Sequence, residues 1–275
     1  MCVRVDPLSA LFESYSPMQS TVANQRESAK DAMQRLQYGL ARSRDDLTQA
    51  FRLVFESYYD AGLVTEKPSG IRLTPHHLMP TSEVLVAKLD GVVTSTLSMF
   101  GDGYLGLPME SMYAEQIQEL RDRGLRLAEI GCLADRRSSP VRFMDTFIQL
   151  GRLLAQICRV RGIDGLVAVM HPKHARLYQR VMGFKQIGDL SQCPYANGNP
   201  AVAVSMCFED HRGTPLYDRY FSDPWPQKSL LQYRWDRETR QHFREILERD
   251  NTIAAAAGIQ GYYNWAAVTG NLTSS

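Results

Sequence analysis

The chain has 275 residues, 44% hydrophobic and 22% charged, with a formal net charge of +1. That is the composition of a globular protein able to bury a sizeable core, and the length fits one large domain, or one medium domain with extensions. A net charge this small excludes a molecule built to coat nucleic acid or an anionic membrane, and five scattered cysteines without a C-x-x-C pair argue against a disulfide framework or a zinc site.

Free thiols fit a reducing, cytoplasmic setting. The first residues lack the apolar core of a signal peptide, and no apolar run is long enough to span a bilayer, so no integral membrane segment is expected. Residues 1–34 are mixed and polar and read as an N-terminal arm. Arg35 to Ala41 is strand-like. Ser43, with Asp46 three residues on, resembles a capping box. Leu47, Ala50, Phe51, Val54, Phe55, Tyr58 and Tyr59 then repeat at helical spacing to about Gly62. This aromatic stripe reads as core.

Thr65 to Ser82 carries three prolines and a glycine and reads as a loop. His76 and His77 are adjacent in it. On an extended segment they point opposite ways, which speaks against a shared metal. Arg72, in the same loop, is a candidate contact for an acceptor's carboxylate. Glu83 to Phe100 reads as a β-hairpin about the Asp90-Gly91 turn. Asp102 follows as a candidate base or ammonium contact. A glycine-rich stretch, without the spacing of a dinucleotide or Walker loop, leads into a helix with Tyr113, Ile117 and Leu120 inside and Gly124 past its end.

Leu125 to Asp145 carries the densest chemistry. Leu125, Leu127, Ile130, Leu133 and Ala134 make a strand, with one carboxylate, Glu129, within it. A turn of Arg136, Arg137, Ser138, Ser139 and Pro140 follows. Pro140 suits the first position of the next helix, and Ser139 suits its cap. A strand feeding a helix N-terminus is a natural anion site, and Arg136, Arg137 and Arg142 add positive charge. An acid/base group beside such a cradle suits transfer from a phosphate-bearing carrier. The alternative is a solvated basic turn in an ordinary α/β protein.

Phe147, Leu150, Leu154, Ile157 and Cys158 form the stripe of the following helix. Asp164 to Met170 is a nearly all-apolar strand, as for one buried on both faces. Pro172 and Gly183 bracket another helix with Ala175, Tyr178, Val181 and Met182 on one face. Phe184 to Leu190 and Ala201 to Phe208 read as closing strands. The order implies a mixed sheet covered by helices, with ligands at the carboxyl ends of its parallel strands, between Glu129 and Met170. Residues 211–275 read as a C-terminal extension with one helix, Asp236 to Arg249.

In order and spacing these elements resemble the GNAT acyltransferase superfamily, where the penultimate helix carries an aromatic-rich signature; here it is Leu177-Tyr178 and Gly183-Phe184. More narrowly, LTPHHLMPTSEVLVAKLDGVVTSTLSMFGD, GLPMESMYAEQIQELRDRGLRLAEIGCLA and MHPKHARLYQRVMGF resemble FeeM-type N-acyl amino acid synthases, relatives of the LuxI-type acyl-homoserine lactone synthases. The resemblance covers roughly residues 36–210. It implies a GNAT-like, mixed, mostly antiparallel twisted sheet over residues 35–210. It also implies transfer of a fatty acyl group from a pantetheine thioester to the amine of an amino acid, with no permanently bound cofactor. The donor-site turn has no glycine where acetyl-CoA users carry Q/R-x-x-G-x-G/A. The resemblance implies an acyl carrier protein rather than free coenzyme A as donor, and a glycine-poor, arginine-rich turn is compatible with the single phosphate of a carrier arm. The LuxI-type E-x-x-R motif is broken: Glu129 stands, but Cys132 replaces the arginine.

Aminolysis of a thioester needs a base, an oxyanion site and a departing thiol. Glu129 is the candidate base, with a structural ion pair as the alternative. The resemblance assigns the oxyanion to backbone N–H groups at Leu133 and Ala134, and thiolate protonation to Tyr178, which also suits a plain core tyrosine. Arg136, Arg137, Ser138, Ser139 and Arg142 are assigned to the pantetheine phosphate. Lys173, Arg176 and Arg180 extend the patch toward an acidic carrier. The competing readings are a LuxI-type or other small-amine acyltransferase, and a catalytically silent GNAT-like interaction module.

Overall fold

A computed structural model describes residues 22–136 and 138–256. The N-terminal residues before Val22, the residues after Ala256 and Arg137 lie outside it, so the expectations placed on them are not addressed by the fold.

Eight strands form one sheet in the order β1-β2-β3-β4-β5-β8-β6, with β7 paired to β8. They are β1 (Gln37–Leu40), β2 (Ser82–Leu89), β3 (Val92–Gly101), β4 (Leu127–Asp135), β5 (Gly165–Met170), β6 (Lys185–Gln186), β7 (Ser191–Cys193) and β8 (Asn199–Cys207). Only β4 and β5 pair in parallel; the other described pairs are antiparallel. This is the mixed, mostly antiparallel sheet expected. The helices are α1 (Val22–Arg35), α2 (Arg44–Asp60), α3 (Glu110–Asp122), α4 (Phe143–Val160), α5 (Pro172–Met182), α6 (Pro215–Phe221), α7 (Gln227–Leu230) and α8 (Arg237–Ala256).

The two faces of the sheet are covered separately. On one, Phe147, Leu150 and Leu154 of α4 bury against Leu85, Leu97, Met99, Ala128 and Leu166. On the other, Leu47, Phe51 and Val54 of α2 pack on Val84, Val86 and Phe100, and α3 sets Tyr113, Ile117 and Leu120 on Leu127, Val167 and Ala203. Local signals place these helices. Ser43 Oγ accepts the Asp46 N–H at 3.0 Å, capping α2. Gly183 ends α5 at φ 74°, the left-handed geometry a glycine takes without strain.

Four expectations are corrected. First, α4 begins at Phe143, not at Pro140, and no side chain caps it. Ser139 Oγ instead accepts the Val141 N–H at 3.3 Å. Val141, 4% exposed, is drawn into the core, which keeps the chain out of the helix until Phe143. Second, Pro75–Leu78 is a 3₁₀ turn that buries both His76 and His77. Third, of the strand expected over 184–190 only Lys185–Gln186 is strand (β6), and β7 follows beyond its end. A side chain at Gly188 would collide with the Tyr113 ring at 2.7 Å, so only glycine lets the chain pass there. Fourth, the described residues of the C-terminal extension form three helices rather than one. Thr214 caps α6, with Pro215 at its first turn.

The extension touches both faces. Gln156 of α4 donates to the Tyr220 carbonyl at 2.9 Å and accepts the Trp225 N–H at 2.7 Å. Past Tyr233, whose N–H donates to Glu83 at 3.1 Å, α8 reaches the opposite face, where Phe243 meets Phe51 edge-on at 5.3 Å. No helix of the described residues is long and apolar enough to cross a membrane.

Candidate active site

Beta-strand pairing makes the cleft. β4 and β5 are in register only from Leu127 to Glu129 against Gly165 to Val167. Beyond that, β4 stays with β3 as far as Asp135, while β5 stays with β8 as far as Met170. The two strands therefore part at Glu129, and a gap opens toward their carboxyl ends. A bulge at Cys132 and Leu133 sharpens the parting: the β3–β4 register slips there, and Cys132 takes φ 51°.

Glu129 stands at the vertex. It is 4% exposed, and its Oε2 accepts the Met109 N–H at 2.7 Å. Burial pushes its carboxyl up to about 8; the Met109 bond opposes this, and nearby Glu110 adds to it. Such a group changes protonation near neutral pH, as a general base requires. No ion pair involves Glu129 among the described residues.

Asp102 is engaged elsewhere. Arg121 grips both its oxygens, at 2.9 and 3.0 Å, and the same guanidinium holds Glu110. Arg72 is buried. Its Nη2 donates to the Tyr195 carbonyl at 3.1 Å, its guanidinium lies 5.0 Å from the Tyr58 ring centre, and it reaches the Cys132 thiol. The sequence pattern places no arginine at position 132; the fold brings one to it from the loop before β2.

Tyr178 lies between Phe147 and Phe184, with ring centres 5.3 and 5.8 Å away. Burial raises its hydroxyl well above the usual tyrosine range, so it stays a proton donor. Tyr58, from the opposite layer, is raised in the same way, with Tyr178 and Cys132 both contributing. The strand ladder separates the two backbone amides. Arg136 N–H donates to Thr94 at 2.7 Å, and Ala134, two residues earlier, faces Thr96 in the same alternation, so its amide points to β3. Leu133 lies in the bulge, outside that alternation.

At the mouth, Arg136 keeps a buried Nε without a hydrogen-bond partner among the described residues. Ser138 is exposed. Arg142 is 75% exposed and paired with Asp145 at 3.1 Å, which reduces its charge toward a ligand. Arg137 lies outside the described residues.

Met109, Ser98 and His77 border these residues without being among the site candidates read from the sequence, where His77 is weighed only as a metal ligand. His77 Nδ1 accepts the Thr74 N–H at 3.1 Å, and its Nε2 meets Ser98 Oγ at 3.0 Å. The spacing Thr74 to His77 is that of a capping box with histidine in the acidic position, a signal open to sequence inspection. Ser98 and Met109 depend on register and carry no such signal.

A family model described as N-acyl amino acid synthase FeeM matches residues 49–207. A search of the curated proteins finds no match. Among solved structures, FeeM, an N-acyl amino acid synthase from uncultured soil microbes, is 24% identical. It covers 67% of this chain and 97% of its own, with a TM-score of 0.58. The AHL synthase LasI is 14% identical over 70% of this chain and 96% of its own, with a TM-score of 0.51. BjaI, a CoA-dependent acyl-homoserine lactone synthase solved with SAM and isopentyl-CoA, is 17% identical over 76% of this chain and all of its own, with a TM-score of 0.51. These likenesses show a GNAT-like fold.

Proposed function

We propose, from the premise that this chain belongs to the FeeM family of N-acyl amino acid synthases and is an acyltransferase, that it moves a long-chain fatty acyl group from an acyl carrier protein thioester to the amine of an amino acid. The observation that carries this reading is Glu129. It is a buried carboxyl raised to about 8, set where β4 and β5 part. A base of that strength lies much closer to an amine in proton affinity than an ordinary carboxylate does, so it takes the amine's proton at a far smaller uphill cost.

The acceptor amine attacks the thioester carbonyl carbon and loses a proton to Glu129. The oxyanion takes the amide of Leu133. As the tetrahedral centre collapses, the carbon–sulfur bond breaks and Tyr178 supplies the thiolate with its proton; protons leave Glu129 and return to Tyr178 from solvent. Arg136, Arg137, Ser138 and Ser139, with Arg142, hold the donor's phosphate, while Lys173, Arg176 and Arg180 of α5 meet the acidic carrier. Arg72 receives the acceptor's carboxylate. Asp102, committed to Arg121, takes no part in proton transfer.

Carrier protein and coenzyme A present the same thioester on different handles, and BjaI is CoA-dependent. The test is a direct comparison of palmitoyl-carrier protein with palmitoyl-CoA, each at matched concentration with a mixture of amino acids. Faster N-acyl product from the carrier protein, slowed by added salt as expected for a charged interface, supports the donor assignment. Equal or faster product from the coenzyme A ester contradicts it, and no product from either contradicts the function.

A further inference from the structure

We propose that Arg121 and Glu110 are positioning residues for Glu129: their ion pair fixes the loop between β3 and α3, so that the Met109 amide stays on the Glu129 carboxyl and the negative charge beside it is a compensated one. The inference rests on Glu129 as the base of the reaction proposed above, and adds two residues that act through it.

The chain leaves β3 at Gly101 and enters α3 at Glu110. α3 is kinked: Tyr113 takes φ −134° and ψ 42°, so the first turn is set at an angle to the rest. In a straight helix the rise from Glu110 to Arg121 would be about 16 Å, beyond the reach of an ion pair. Across the kink, Arg121 Nη1 donates to Glu110 Oε2 at 3.0 Å. The same guanidinium takes Asp102, Nε to Oδ2 at 2.9 Å and Nη2 to Oδ1 at 3.0 Å. One planar fork thus ties the start of the loop to its end. Glu110 then orders what lies between. Its Oε1 accepts the Leu107 N–H at 2.6 Å. Gly106, at φ 65°, runs so close to that carboxylate that a side chain there would meet Oε1 at 2.7 Å. Pro108 has no N–H to offer, so the next amide is that of Met109, and it donates to Glu129 Oε2 at 2.7 Å.

Two influences on Glu129 have opposite signs. The Met109 bond favours the charged form, and the neighbouring Glu110 carboxylate disfavours it. Burial pushes Glu110 itself up, but Arg121 and the Leu107 amide outweigh this and keep it ionised. The guanidinium against it offsets part of its field at Glu129. The neighbouring elements present uncharged groups. Phe100 of β3 and Val167 of β5 pair with Glu129 across the sheet. On β4 itself, burial keeps the Cys132 thiol protonated. In the Pro75–Leu78 turn, burial lowers the pKa of His76, which faces Glu110, to about 4, so it is neutral where the enzyme would work.

Loss of the guanidinium frees the loop and leaves Glu110 uncompensated, and both changes push Glu129 further up. Loss of the Glu110 charge, with its hydrogen-bonding oxygen kept, pushes Glu129 down. The test is the pH profile of kcat/KM, with a mixture of amino acids and whichever of palmitoyl-carrier protein and palmitoyl-CoA is the faster donor. Wild type and variants meet the same amines, so a displacement between their profiles belongs to the protein. Arg121→Met should move the limb near 8 to higher pH by about one unit, the worth of one hydrogen bond to a charged group. Glu110→Gln should move it to lower pH, a result that stands even if Arg121→Met does not fold. A purely structural role lowers the rate at every pH and moves neither limb. Limbs that coincide with that of the wild type, or that move in the same direction, overturn the inference and leave Glu129 as the base. A wild type without the limb near 8, or a limb that survives in Glu129→Gln, overturns Glu129 as base and this inference with it. No product from the wild type overturns the proposed function as well.

Discussion

Glu129 suits the proposed role of base because it is buried. Water stabilises a carboxylate, and its removal raises the proton affinity from the ordinary 4.5 to about 8. The rate should then rise with pH through the region near 8, where an exposed carboxylate would give a flat profile. Glu129→Gln should lower turnover at least ~100-fold, leave donor binding intact and abolish that limb. The same shift affects stability, with a definite sign. A raised carboxyl contributes its full stabilisation below the unfolded value and loses it as pH climbs toward 8. Glu129→Gln carries no such group, so its stability relative to wild type should grow with pH over that window, by up to about 1.4 kcal/mol per pH unit, in urea titrations at several pH values. A constant difference would mean that the carboxyl is not raised. Glu129 is legible in sequence because a lone carboxylate in an apolar strand stands out. Ser98 and Met109 are ordinary residues there, since their meaning comes only from a partner many positions away.

At the scale of elements, the site is a consequence of where pairing stops. Alternation and turn chemistry make β2, β3, α3, α5 and their ends readable: Asp90-Gly91 turns the hairpin, and Gly124 and Gly183 close the helices. The bulge at Cys132 and the parting of β4 from β5 are not readable, because they reflect competition between β3 and β8 for neighbouring strands. The start of α4 is misread for a related reason. Pro140 and Ser139 are good local signals, but burial of Val141 outweighs them. Val141→Ala should therefore cost roughly 2 kcal/mol in denaturant unfolding and weaken donor binding, because it loosens the turn carrying Arg136 and Ser139. Unchanged stability and donor affinity would mean that the core does not hold that turn.

Across the whole molecule, both faces of the sheet serve the reaction. In the proposed function, the α4 and α5 layer carries the donor residues, the α2 and α3 layer carries those of the acceptor, and the gap between β4 and β5 joins them; the two layers pack on opposite faces of the sheet. The extension fastens the layers together through Gln156, Glu83 and Phe51. Its aromatic and proline content marks it as unusual in sequence, but nothing local predicts that it crosses from one face to the other. A net charge of +1 leaves the proposed carrier contact to local basic groups. The central claim, that this chain joins fatty acyl groups to amino acids with Glu129 as base, is tested most directly by mass spectrometry of lipid extracts from cells producing the wild type or Glu129→Gln. New N-acyl amino acids in the wild type alone are predicted, and their masses identify acceptor and acyl length. The same products at equal yield from Glu129→Gln would contradict the role of Glu129, and no acylated amine from the wild type, even with carrier-protein thioesters added, would contradict the account itself.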